Sequence, residues 1–220
     1  MADFGRRELS AKGTAIIFDG ASDYSLGLSA TFEKALAQNA GAILAKLPYT
    51  VRRPNFREAV AKAISLDPGI LFTPGHDESA RIISEAVRNG LKADVIPLGG
   101  DAWETAVADY AGEALEGIYF STFWHPGAPY RRNPAFMTHF KSTYGNAQIS
   151  AYAPLAYDAV WLFADAIHRS KGLDPAKIRD ALAATQKFVG ATGHFSFNAY
   201  GDPVDKGASI PKFTQGKWAF

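Results

Sequence analysis

Residues 14–36 read TAIIFDGASDYSLGLSATFEKAL, and this stretch decides the fold. Thr14 to Phe18 is a short, nearly continuous apolar run rich in β-branched residues, the pattern of a buried strand. Asp19-Gly20-Ala21-Ser22-Asp23 then has turn chemistry. Beyond it, Leu28, Phe32, Ala35 and Leu36 fall on one face of a helix. A strand, a turn and an amphipathic helix make the repeating half of a βαβ unit.

The unit recurs. Ala42 to Leu47, Ile70 to Thr73, Val95 to Leu98 and Gly117 to Ser121 read as further strands. Between them, Asn55 is placed to cap a helix carrying Phe56, Val60, Ala63 and Ile64. Glu78 to Asn89 carries Ile82, Ile83, Ala86 and Val87 on one face, and Trp103 to Tyr110 reads as a short helix. Crossover connections at this spacing predict a parallel sheet. Strands that are apolar throughout, not alternating, predict helices on both of its faces. The fold class is therefore α/β, doubly wound, with its ligand crevice at the carboxyl ends of the strands.

The pattern changes after Phe123. His125-Pro126-Gly127-Ala128-Pro129 reads as a linker. Helices follow at Pro134 to Tyr144, Ala153 to Arg169 and Asp174 to Leu182, with hardly any strand between them. Phe136, Phe140, Leu155, Leu162, Phe163, Ile167 and Leu182 give these helices apolar faces that need a partner sheet. Left uncovered, such faces predict self-association, or docking onto the chain's own sheet. From Gly193 the chain reads as β again, and Lys212 to Phe220 as a hairpin around Gln215-Gly216.

Composition narrows the function classes. The absence of cysteine removes disulfides, thiolate metal sites and cysteine nucleophiles. A formal net charge of +1 gives no pull toward nucleic acid or anionic membrane. Met1 to Lys12 lacks the basic start and apolar run of a signal peptide, which implies that the chain as written stays in the cytoplasm. No apolar stretch reaches the ~18 residues of a membrane-spanning helix. His76, His125, His139, His168 and His194 show no metal-ligand spacing, and no nucleotide, nucleophile-elbow or zinc-protease motif is present. The chain therefore reads as a non-enzyme with no cofactor and no metal. The competing reading, an α/β enzyme using Asp101 and His76 as acid and base, would need the two within reach of one substrate.

Three loops follow strands one, three and four. In the first, Ser22 or Asp23 caps a helix, or Tyr24 reaches over the crevice beside free backbone N–H groups. In the second, Thr73-Pro74-Gly75-His76-Asp77, the turn is a surface feature, or Gly75 admits a ligand close to the backbone while His76 points at it. In the third, Asp101 caps a helix, or its carboxylate pairs with a ligand ammonium. Trp103 is a core anchor or a pocket wall.

These loops, in this order, resemble the type I periplasmic binding proteins of the leucine/isoleucine/valine-binding family. The matching segments are AIIFDGASDYSLGLSATFEKAL, PGILFTPGHDESARIISEAVRNGL, VIPLGGDAW, EGIYFSTFWHP, YAPLAYDAVWLFADAI and VGATGHFSFNAYGDPV. The resemblance implies two lobes that close on a small ligand, the chain crossing between them three times. It implies that residues 1–123 with 207–220 are the second lobe, and that 124–206 are helices and hinge of a first lobe whose N-terminal repeats are missing. It implies a solute-binding component of an ABC importer for branched-chain amino acids or related metabolites, periplasmic in its full-length form and partnered by a membrane permease. The same fold also serves as the sensor domain of regulators and receptors. The implied ligand-binding residues are Tyr24, Ser25, Gly75, His76, Asp101 and Tyr152. Tyr24 lines the second-lobe wall, Asp101 holds the α-ammonium, and Tyr152 packs near the hinge. His76 stands where the family more often has tyrosine.

Overall fold

The computed structural model describes residues 1–9, 13–51, 56–103 and 116–219. The chain divides into two compact units, one of Met1–Ser121 with Ile210–Phe220 and one of Thr122–Ser209.

The first unit is built on a seven-stranded sheet in the order β10-β9-β5-β4-β3-β1-β2. The strands are β1 (Thr14–Asp19), β2 (Ile43–Tyr49), β3 (Ile70–Phe72), β4 (Ile96–Gly99), β5 (Tyr119–Phe120), β9 (Lys212–Thr214) and β10 (Lys217–Ala219). β2, β1, β3, β4 and β5 pair in parallel, and β9 and β10 run antiparallel at the far edge. Side chains alternate across a strand, so β1 feeds two cores. Ile16 and Phe18 pack with Phe32 and Leu36 of α2 (Asp23–Gln38) and with Ala2 of α1 (Ala2–Arg7). Ala15 and Ile17 pack with Val60 and Ala63 of α3 (Arg57–Ser65) and Ile82 and Ala86 of α4 (Glu78–Arg88). Both faces of the sheet are thus covered, which is why these strands are apolar throughout.

Two details depart from the sequence reading and one extends it. β2 alternates between half-buried and exposed residues, because it is an edge strand. The C-terminal hairpin is present, β9 pairing antiparallel with β10, and it is built into the main sheet: β9 lies beside β5, and Trp218 packs edge-on against Phe120 and Phe213. The short, charged α1 gave no periodic signal. Asn55 and the expected helix beyond Trp103 lie outside the described residues; Asp101–Trp103 itself forms a 3₁₀ turn.

The second unit holds α5 (Asn133–Tyr144), α6 (Tyr152–Ser170) and α7 (Pro175–Ala183), with a three-stranded sheet of β6 (Phe188–Gly190), β7 (Gly193–Phe197) and β8 (Pro203–Val204). The apolar helices left open by the sequence therefore pack on one another and on a small antiparallel sheet. Phe136 is buried with Trp124, Ala128, Ala151 and Ala191. Phe140, Leu155, Leu162, Ile167 and Leu182 are half-buried, while Phe163 is exposed. With Tyr152 and Val160, Phe163 forms an exposed apolar stripe along α6. The 124–128 segment is tied down by Asn133, whose amide accepts from the Trp124 indole at 2.8 Å and donates to the carbonyls of Pro126 and Ala128. Asp174 caps α7, accepting from the Lys177 N–H at 3.0 Å. Among the described residues no helix is long and apolar enough to cross a membrane.

Candidate ligand-binding site

The carboxyl ends of β1, β3 and β4 bring three sequence-distant residues together. Ser22 caps α2, its hydroxyl accepting from the Ser25 N–H, and this sets Tyr24 on the first turn. The Tyr24 hydroxyl donates to Asp101 Oδ1 at 2.9 Å and accepts from the Ala102 N–H at 3.4 Å. The Tyr24 ring lies against the His76 imidazole, with centroids 4.9 Å apart and planes tilted by 31°. Tyr24 and Asp101 are half-buried and His76 is exposed. A carboxylate, a phenol and an imidazole thus share one patch at the strand ends.

Two further residues, not legible as functional in the sequence, hold the second loop. Tyr49, at the end of β2, donates to Glu78 Oε1 at 2.8 Å, and the same oxygen accepts from the His76 N–H at 3.2 Å. Gly75 leaves room there for these side chains. A Cβ would lie 2.6 Å from the Tyr49 hydroxyl, 2.7 Å from Glu78 Oε1 and 2.8 Å from Ser79 Oγ. The sequence suggested a ligand approaching the backbone at Gly75; the groups the structure places against it are the protein's own side chains.

Ser25 serves the fold. It is buried, and its hydroxyl accepts from the Asp19 N–H at 2.9 Å. Tyr152 stands in the second unit, at the first turn of α6 and 54% exposed. Trp103 resolves in favour of the core. It is fully buried, and its indole donates to the Thr73 carbonyl at 3.1 Å. Among the described residues no group of histidines and carboxylates could hold a metal ion.

Burial, then the hydrogen bond and charge of Glu78, push the Tyr49 phenol well above its usual range. Above pH ~10 the unfolded chain releases this proton while the folded chain keeps it. The folded state then binds more protons, so stability falls as pH rises. Denaturant unfolding from about pH 9 to 11 should therefore show a shallower loss in Tyr49→Phe than in the unchanged protein. Equal slopes would mean that the Tyr49–Glu78 contact is absent in solution.

A family model described as periplasmic binding protein matches residues 1–209. The chain belongs to that family. A Leu/Ile/Val-binding protein homologue of Brucella abortus is 27% identical over 94% of this chain. The leucine-binding protein LivK of Thermotoga maritima superposes with a TM-score of 0.91 at 28% identity, over 100% of this chain. LivJ of Streptococcus pneumoniae, a branched-chain amino acid transporter binding protein solved with isoleucine, superposes with a TM-score of 0.85 at 28% identity, over 99% of this chain. The resemblance carried by the six ordered segments therefore holds, and so does the α/β fold class. The chain spans about half the length of the curated relative, 53%, and 62% of LivK.

Proposed function

We propose that the full-length parent of this chain is the solute-binding component of an ABC importer, capturing a branched-chain amino acid or related small metabolite. It works in the periplasm and delivers its ligand to a membrane permease; it binds and does not catalyse. The observation that carries this reading is the Tyr24–His76–Asp101 patch at the carboxyl ends of parallel strands, in a chain whose relatives bear leucine-, isoleucine- and valine-binding names. Asp101 takes the ligand ammonium by a charge-assisted hydrogen bond, and Tyr24 orients that carboxylate. His76 and Gly75 form the neighbouring wall, with Ser25 bracing the first loop from behind. Tyr152, from residues 124–206, packs on the ligand side chain. On this reading residues 1–123 with 207–220 form the second lobe, and 124–206 the remainder of a first lobe whose other repeats cover the α6 stripe.

Calorimetric titration of the full-length parent with amino acids tests the reading. Asp101→Ala should weaken binding by about 2 kcal/mol, roughly thirtyfold, because it removes a charged hydrogen-bond partner of the ligand. If no amino acid or small carboxylate binds the parent, or Asp101→Ala binds as tightly as the unchanged protein, the assignment fails.

A further inference from the structure

We propose that a cleft on the second unit, formed where α5 begins and lined by α6 and β6, is a docking groove for an acidic segment of a protein partner. The cleft encloses about 760 Å³, and Arg131, Arg132, Trp161, His168, Lys187 and Phe188 line it. It lies wholly within the second unit and is independent of the ligand-binding role of the Tyr24–His76–Asp101 patch.

Three of its cations are not consumed by ion pairs among the described residues. The Arg132 guanidinium lies over Trp161, 4.9 Å from the ring centroid, and 6.0 Å from that of Phe188. This cation–π seating fixes the guanidinium plane while leaving its N–H edges available to a carboxylate. Among the described residues, Arg131, Arg132 and Lys187 have no ion-pair partner. Arg169 in the same wall makes the contrast. It is spent on Asp165 at 2.8 Å, Thr185 Oγ1 at 2.9 Å and the Ala181 carbonyl at 2.5 Å. That pairing also neutralises Asp165, the acid on the cleft wall. Three basic side chains without an ion-pair partner among the described residues thus face one cavity, in a chain whose net charge is +1.

Local structure works against this arrangement. Arg131 and Arg132 immediately precede α5, which has no acid in its first turn. The positive end of a helix dipole disfavours cations there. Lys187 occupies left-handed backbone, φ 51°, where a lysine gains nothing. Residues that break local rules without a folding gain mark sites kept for another reason. Trp161 is 46% exposed on the cleft floor, and exposed tryptophan beside arginine is the chemistry that dominates binding hot spots. A concave, aromatic-floored, cationic cleft fits a single acidic chain segment laid along it.

The test uses ¹⁵N-labelled full chain, with the Trp161 indole N–H signal assigned by Trp161→Phe. Octaglutamate titrated at low ionic strength should move that signal, with an affinity that falls as salt is added, and octalysine should not move it. Arg132→Gln with Lys187→Gln, or Lys187→Glu alone, should weaken the effect about tenfold or more. No shift with octaglutamate overturns the proposal, as does an unchanged shift in both variants. An equal shift from sulfate at matched charge makes the cleft a simple anion trap and overturns it too. A signal that moves on diluting the protein alone would give the cleft to a second copy of the chain, which equally overturns it.

Discussion

Trp103→Ala should cost the first unit about 3–5 kcal/mol, the range for emptying the volume of a buried tryptophan. Trp103 is fully buried against Ala80, Ile83, Ile118, Phe120 and Phe213. The residues around it come from α4, β5, β9 and the segment before β5, so no single element can collapse into the space. The lost hydrogen bond contributes little. The Thr73 carbonyl that accepts from the indole also accepts from Ser79 Oγ at 3.2 Å and the Gly75 N–H at 2.9 Å. The cost is therefore that of a cavity, and Trp103→Phe should recover roughly half of it. Urea unfolding of the three proteins decides: a loss below about 1 kcal/mol for alanine would mean that the site closes up easily. Because Trp103 ends the turn that begins at Asp101, the same substitution should loosen the Asp101–Tyr24 hydrogen bond.

In the second unit the largest effect is expected from Asp158→Ala, about 3–5 kcal/mol. Asp158 is buried, 3% exposed. Its carboxylate reaches from α6 to the turn between β6 and β7, accepting from Ala191 N–H at 2.6 Å, Thr192 N–H at 2.8 Å and Thr192 Oγ1 at 2.6 Å. Gly190 makes the approach possible, since a Cβ there would sit against the carboxylate. Removing the acid strands two buried backbone donors and a hydroxyl, which no rearranged side chain can serve. Lys206 closes the network by donating to the Thr192 carbonyl at 2.9 Å and Thr192 Oγ1 at 2.7 Å. Burial lowers the Lys206 pKa, and the charge of Asp158 opposes that shift. The alanine variant should thus also titrate Lys206 at lower pH. Asp158→Asn keeps an acceptor and should cost about half as much. If alanine melts with the unchanged protein, the turn is held by something other than Asp158.

What could be read in advance, and what could not, follows from where the information lies. β1, β3 and β4 announce themselves because a strand buried on both faces must be apolar at every position. β2 is legible only as a run of apolar residues, since edge exposure depends on a neighbour that is missing on one side. Tyr24, His76 and Asp101 stand out because each follows a strand whose carboxyl end opens on the crevice. Their mutual contacts span 77 residues between Tyr24 and Asp101, and spacing cannot report that. Tyr49 and Glu78 are silent for the same reason. Glu78 alone looks like an ordinary first-turn acid, and its second role emerges only when β2 is brought beside it. β6 and β8 are too short to carry a period, so the small sheet was visible only through Phe195 and Phe197.

The sheet of the first unit is finished by β9 and β10, far along the sequence from its other strands. β9 lies beside β5 although more than ninety positions separate Tyr119 from its partner Lys212, and Trp218 closes the cluster around Phe120 and Phe213. During synthesis, every other strand of that sheet emerges well before its final two. Until they arrive, β5 presents unpaired backbone and uncovered aromatic surface, the condition under which strands recruit foreign partners. The nascent protein therefore passes through a vulnerable interval as long as the translation of the whole second unit, and loss of β9 and β10 would make that interval permanent.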